Sequence, residues 1–203
     1  MDKAGILMII SGPSGSGKGT VVDELLKNDK FALSISATTR NPRPGEIDGK
    51  HYFFKTKDEF KNLIEENMLL EWACFCDNNY GTPLKYVTER LDEGKNVVLE
   101  IEVQGALQVK EKYPEAVLVF LIPPTIDELR RRLTNRGTET DEVIEKRIAR
   151  AGEEIELIDR YDYVVINENV EEAKEDILKI VCAEKMNIKR NENIKKLFKG
   201  EII

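Results

Sequence analysis

The sequence predicts an α/β fold: a parallel sheet flanked by helices, interrupted by a mostly antiparallel insertion. Three observations predict it. Near-continuous runs of Ile, Val and Leu recur at residues 6–10, 97–101 and 117–122, as in strands buried on both faces of a parallel sheet. Stretches with helical spacing alternate with such runs. Between Phe31 and Thr82 the strand signals crowd together with only one short helix among them. The 203 residues suit one domain with insertions. A chain of this size buries roughly 70% of its unfolded surface, so its core needs no disulfide or metal.

In chain order, residues 6–10 form the first strand. Lys3 and the apolar residues after it imitate a short signal peptide, but no small-residue cleavage site follows. The strand runs directly into Ser11-Gly12-Pro13-Ser14-Gly15-Ser16-Gly17-Lys18-Gly19-Thr20, and residues 20–28 then read as a helix. Residues 33–38 read as a strand. Asn41-Pro42-Arg43-Pro44-Gly45 continues neither strand nor helix. Strand signals at 51–54 and 69–75 flank the helix signal at 57–67. The longest apolar run, residues 116–122, falls far short of the ~20 residues that span a bilayer. Helices follow at 127–135 and 144–158; in the second, Ile144, Ile148, Ala151, Ile155 and Ile158 share one face. From Val170 a long helix turns lysine-rich towards its end, as a solvated tail does.

Composition excludes several chemistries. His51 is the single histidine, which argues against a Ser-His-Asp triad or a multi-histidine metal site. Three cysteines, an odd number in a long chain, indicate a reducing compartment and place the chain in the cytoplasm. The 31 basic and 38 acidic residues give a net charge of −7, which repels nucleic acid unless a local patch overrides it.

The segment from Gly12 to Thr20, between a strand and a helix, has the context of a phosphate-binding loop. Its glycines let successive N–H groups turn inward on phosphate oxygens, and the helix N-terminus adds its positive end. Lys18 brings a mobile charge to the outer phosphates. The sheet is therefore predicted to be a P-loop NTPase core, with Gly12, Pro13, Ser14, Gly15, Ser16, Gly17, Lys18, Gly19 and Thr20 at the nucleotide. Gly19 stands where the strict pattern has a Ser or Thr that holds Mg²⁺; the hydroxyl comes one residue later, on Thr20. Gly-Lys-Gly-Thr resembles nucleoside monophosphate kinases, in which case Mg²⁺ is held mainly through water and the nucleotide phosphates.

Further motifs narrow the acceptor. Arg40 and Arg43 lie three apart beside a proline-stiffened turn, and arginine's planar fork pairs bidentately with phosphate. Ser36-Ala-Thr-Thr-Arg40-Asn-Pro-Arg43, Gly49-Lys-His-Tyr52-Phe-Phe, Glu71-Trp-Ala and Asn79-Tyr80-Gly81-Thr82 follow in order. Together they resemble guanylate kinase, over nearly the whole chain up to Asn167. The resemblance implies that Arg40, Arg43, Tyr52 and Tyr80 hold the phosphate of GMP and that Ser36, Glu71 and Thr82 read guanine. Chemistry supports the latter: guanine offers two adjacent donors, N1–H and the 2-amino group, to a carboxylate. Adenine lacks both and would leave Glu71 unpaired, a difference worth ~10⁴ or more in discrimination.

Glu100 and Glu102 end an apolar strand. Period two puts both on one face, at the carboxyl end where ligands bind in open α/β sheets. By resemblance they correspond to two aspartates that orient the acceptor and the magnesium shell; glutamate is one methylene longer, which leaves direct and water-mediated contact both open. Six of the eleven arginines lie between 130 and 150. Arg132 and Arg136 are four apart on one helix face, Gly137 ends that helix, and Arg147 sits on the next. The pair resembles the family's lid, which implies that Arg132, Arg136 and Arg147 meet ATP phosphates, that Arg132 also flanks the adenine, and that Asn167 meets adenine. Arg130, Arg131 and Arg150 are expected to be solvated or paired with acids. From 126 to 150 seven basic residues face six acidic ones, too balanced for a nucleic-acid surface. Cys74 and Cys76 lack zinc spacing and are expected to be small buried residues, His51 a strand residue, and Trp72 a core residue.

The expected activity is transfer of the γ-phosphoryl of ATP to GMP, and to dGMP, with Mg²⁺ accompanying ATP. Lys18, Arg40, Arg136 and Arg147 are the expected catalytic residues. No nucleic-acid or membrane partner is expected, and the protein is a monomer or homodimer. The expected division is a core of 1–32, 83–125 and 156–203, a GMP-binding insertion of 33–82 and a lid of 126–155. Two alternatives are a related kinase with another acceptor, against which the set Ser36, Glu71 and Thr82 speaks, and a non-catalytic guanylate-kinase-like scaffold module, against which the intact phosphate loop speaks.

Overall fold

The computed structural model describes residues 5–75, 77–135, 137, 140–191 and 193–201. Five strands, β1 (Leu7–Ser11), β2 (Phe31–Leu33), β7 (Asn96–Glu100), β8 (Val117–Ile122) and β9 (Tyr163–Ile166), form an all-parallel sheet in the order β2-β7-β1-β8-β9. Central β1 is buried along its whole length, as the apolar run Leu7–Ile10 requires of a strand covered on both faces. Met8, Ile10, Val98, Val119 and Leu121 point to one side, against α1 (Lys18–Leu26) and α7 (Val170–Met186). Ile9, Val97, Leu99 and Leu118 point to the other, against α3 (Leu84–Asp92) and α4 (Val103–Lys112).

A second sheet, in the order β4-β3-β6-β5, contains β3 (Ala37–Thr38), β4 (Phe53–Phe54), β5 (Leu69–Phe75) and β6 (Asn78–Pro83). The β3–β6 and β5–β6 pairs are antiparallel and β3–β4 is parallel. Helix α2 (Lys57–Glu65) packs Phe60 into a small core with Ala37 and Leu69. Its start is fixed by a capping box, with Thr56 accepting from the Glu59 N–H and the Glu59 carboxylate accepting from the Thr56 N–H. Helices α5 (Ile126–Asn135) and α6 (Asp141–Ile155) form a hairpin with its own cluster, Leu129, Leu133, Ile144 and Ala151. The tail ends in the short α8 (Ile194–Phe198).

The structure departs from sequence expectation in several places. The single strand expected at 33–38 is two strands in two different sheets, because the chain crosses between them over residues 34–36. His51 lies in an exposed turn, where its Nδ1 accepts from the Ile47 N–H. Trp72 is 39% exposed and Cys74 is exposed as well. The β5–β6 pairing shifts register between Leu69 and Trp72, so simple alternation does not carry along the strand. Cys76 lies outside the described residues.

Candidate active site

The chemistry gathers at the carboxyl ends of the parallel strands, where open α/β sheets hold ligands. β1 ends at Ser11 and the chain turns through 12–17 into α1. Helix α1 begins with no side-chain cap and no acidic residue in its first turn. Its N-terminal N–H groups and positive dipole end are thereby left to an anion. The Lys18 ammonium folds back over the loop, donating to the carbonyls of Gly12 at 2.6 Å and Pro13 at 3.1 Å. Gly12 adopts φ 140°, and a Cβ there would lie 2.2 Å from the Leu121 carbonyl oxygen of β8. Gly12→Ala should therefore cost about 2 kcal/mol or more of stability, read by urea unfolding.

Three side chains close one flank of the loop. Arg132 of α5 donates to the carbonyls of Asn167 at 2.7 Å and Ser16 at 3.3 Å, while Glu128 holds its Nε. Asn167, just past β9, donates through Nδ2 to the Ser16 carbonyl at 2.8 Å. Its Oδ1 is buried without a partner, an acceptor suited to an exocyclic amine of an incoming base. Arg147 of α6 donates to the Ser14 hydroxyl. Arg136 lies outside the described residues. As expected, the remaining arginines pair with acids: Arg130 with Glu145, Arg131 with Glu128, and Arg150 with Glu102 and Glu154.

Beside the loop opens a cavity of about 360 Å³ lined by Ser36, Tyr52, Glu71, Tyr80, Glu100 and Glu102, among others. Thr82, Ser36, Tyr52 and Glu100 line a smaller one of about 140 Å³ next to it. Glu71 is only 6% exposed, and Thr82 donates to its Oε1 at 2.7 Å. Burial pushes the Glu71 carboxyl above its usual value, opposed by the Thr82 hydrogen bond and by Lys112. Thr82 thus spends its proton on Glu71, so in this arrangement it orients the carboxylate rather than donating to a base directly. Gly105 in α4 leaves room for that carboxylate, since a Cβ there would sit 3.2 Å from Oε2. Sequence reasoning missed Gly105; a glycine inside a helix, where it costs about 0.5–1 kcal/mol, was the signal.

Arg40 lies with its guanidinium 5.5 Å from the Tyr52 ring centre, and the Tyr52 and Tyr80 rings meet edge to face at 6.2 Å. The structure brings these three together at the cavity rim. Arg43 follows in an exposed loop, held by its backbone N–H. Glu100 joins the two halves of the site. It lines both cavities, and its oxygens lie under 4 Å from where a Cβ on Gly19 would be. Crowding around its carboxyl raises its pKa, against the pull of Lys18. Glu102 does not share a strand face with Glu100, because β7 stops at Glu100 and Glu102 is the N-cap of α4. Its side chain is 74% exposed and pairs with Arg150 at 2.6 Å.

Thr20 is exposed on the first turn of α1. Among the described residues no group of three or more His, Cys, Asp or Glu side chains is placed to hold a metal, and no helix is long and apolar enough to cross a membrane. The donors present, Thr20 and Glu100, fit a magnesium ion that arrives on nucleotide phosphates, with the carboxylate accepting from its water shell.

Comparison with known proteins gives one answer. The family model for guanylate kinase matches residues 5–184. A guanylate kinase from Caldanaerobacter subterraneus subsp. tengcongensis is 53% identical over 95% of this chain and 94% of its own. One from Bacillus subtilis is 53% identical over 94% of each chain. The crystal structure of guanylate kinase from Anaplasma phagocytophilum superposes with a TM-score of 0.70 at 35% identity, covering 91% of this chain and 88% of that one.

Proposed function

The chain belongs to the guanylate kinase family, and from that premise we propose that it transfers the γ-phosphoryl group of ATP to GMP, and to dGMP, giving ADP and GDP. The observation that carries this is Glu100, where the phosphate loop and the acceptor cavity meet. The acceptor is itself an anionic phosphate, so no general base is needed. The protein's work is to position two nucleotides and neutralise charge.

Each element of the site has a part in that work. The loop from Gly12 to Thr20 cradles the ATP phosphates, with Lys18 and Arg147 supplying positive charge. Arg136 is assigned a like part from its position in the sequence. Arg132 and Asn167 flank adenine. Arg40, Arg43, Tyr52 and Tyr80 hold the GMP phosphate, and Glu71, set by Thr82 and helped by Ser36, accepts the guanine donors. Glu100 and Glu102 border the acceptor. Magnesium bound with ATP would neutralise its outer phosphates. The hairpin of α5 and α6 acts as the lid over the donor, residues 33–82 bind the acceptor, and closing the site keeps water from the phosphoryl group. The exposed free thiols of Cys74 and Cys182 suit a reducing compartment such as the cytoplasm. The protein acts as a monomer or homodimer.

A coupled assay with ATP against GMP, dGMP, AMP, UMP and CMP tests the assignment. GMP and dGMP are the expected acceptors. A preference for AMP or UMP would overturn the guanine site, and no turnover with any acceptor would leave only a binding module. In the same assay Arg40→Ala should raise KM for GMP and lower kcat/KM by about a hundredfold or more.

Glu71 also sets a pH dependence. Its folded pKa lies above the unfolded one. The unfolded chain therefore loses this proton first as pH rises, so the ligand-free protein loses stability between the ordinary carboxylate value and the raised one. Below that window the contribution is fully present. GMP needs the carboxylate form, so its affinity should rise across the same window. Thermal unfolding of wild type against Glu71→Gln, with and without GMP, reads both trends; a flat difference would refute them.

A further inference from the structure

Glu46 pairs with Arg40 and with the backbone of Arg43, and the site as described gives it no task. We propose that Glu46 is a positioning residue for the acceptor phosphate: it clamps the terminal fork of Arg40 and the backbone of Arg43 together, leaving Arg40's other edge to receive the phosphate. This rests on the proposed GMP site.

The geometry is specific. Arg40 Nη1 donates to Glu46 Oε2 at 3.0 Å, and Nη2 donates to Oε1 at 2.9 Å, a fork-to-fork pair with both side chains mostly covered. Nη1 gives its second proton to the Asn41 carbonyl at 2.8 Å. A guanidinium has five protons on two usable edges. The end edge is thus filled by Glu46, and none of these bonds uses the side edge, Nε with the remaining Nη2 proton. The Tyr80 hydroxyl bears on the same guanidinium, and Tyr80 lines the acceptor cavity.

Glu46 also organises the loop between the two arginines. Its Oε2 accepts from the Arg43 N–H at 2.7 Å, and its own N–H donates to the Arg43 carbonyl at 3.0 Å. One carboxylate therefore fixes both the plane of Arg40 and the turn that presents Arg43. The Arg40 hydrogen bond, with help from the Arg43 N–H, holds its pKa down at about 2, so it stays ionised at any working pH.

A carboxylate this close also repels an incoming phosphate, and that opposition makes the proposal decidable. If Glu46 were only a stand-in that the phosphate must displace, Glu46→Gln would lower KM for GMP. If it positions Arg40, the same change weakens the fork and raises KM for GMP by about tenfold. The expected pattern is that rise with kcat changed by less than about threefold, KM for ATP unchanged, and a fall of only a few degrees in the Tm of the ligand-free protein, since the lost ion pair is near the surface. Glu46→Asp, which keeps the charge on a shorter stem, should recover part of the loss. A lower or unchanged KM for GMP overturns the proposal. So does a rise in KM for ATP in step with that for GMP, which would mark a merely structural role. Wild-type protein that fails to turn over GMP would instead remove the parent assignment, and the proposal with it.

Discussion

Replacing Lys18 by alanine lowers kcat at least about a thousandfold while the protein remains folded. The ammonium sits over the phosphate loop on the carbonyls of Gly12 and Pro13, at the start of a helix with no other compensating charge in its first turn. In the transition state negative charge spreads over the transferred oxygens, and a preorganised cation there is worth most where water is excluded. A thousandfold corresponds to about 4 kcal/mol of barrier. Alanine is the best helix former, so α1 should persist, and the buried face of α1, Val21, Val22 and Leu25, is untouched. Coupled-assay kinetics with circular dichroism check both halves. Activity within tenfold of wild type would contradict the placement of the transferred phosphate at this loop.

Glu71→Gln removes the acceptor's identity. Glutamine keeps the shape but presents an amide that can give at most one acceptor where guanine has two donors. It also sets an N–H₂ group against either the Thr82 hydroxyl or the base. Because Glu71 is buried beside Thr82 and Gly105, the mismatch has no water to relieve it. The expected result is a fall of about 10³ or more in kcat/KM for GMP, with the ratio of GMP to AMP rates collapsing by a similar factor. Stability should not fall at neutral pH, since the substitution removes a carboxylate that burial already disfavours. Unaltered selectivity would place guanine elsewhere.

What the sequence makes legible follows from where the physics is local. β1, β7 and β8 are readable because burial on both faces demands runs of consecutive apolar residues, Leu7–Ile10, Val97–Leu99 and Val117–Ile122. The phosphate loop is readable because its conformation demands glycines at fixed spacing. Glu71 and Arg40 draw notice through the order of the motifs together with the chemistry of a carboxylate and a guanidinium. What stayed hidden depends on partners distant in sequence or on which face a neighbour covers. Period two tells that Trp72 and Cys74 share a side but not that this side is open. The strand at 33–38 looked continuous because nothing in its composition marks the crossing from one sheet to the other. Period two puts Glu102 on the face of Glu100 only if the strand runs that far, and nothing in the sequence marks that β7 stops at Glu100 and that Glu102 caps α4. Glu46 carries no signal on its own; its meaning appears only when the proline turn folds it back onto Arg40.

The order of the parallel sheet bears on how the protein is made. β1 leaves the ribosome first and lies at the centre, yet its neighbours are β7 and β8, with Leu7 beside Val97 and Met8 beside Val117. At roughly 5–20 residues per second the first-made strand waits several seconds or more for either flank. Throughout that interval a largely apolar ribbon has both edges bare, the condition under which strands join the wrong chain. The exposed interval in the assembly of this sheet thus falls during translation, between the synthesis of β1 and that of β7.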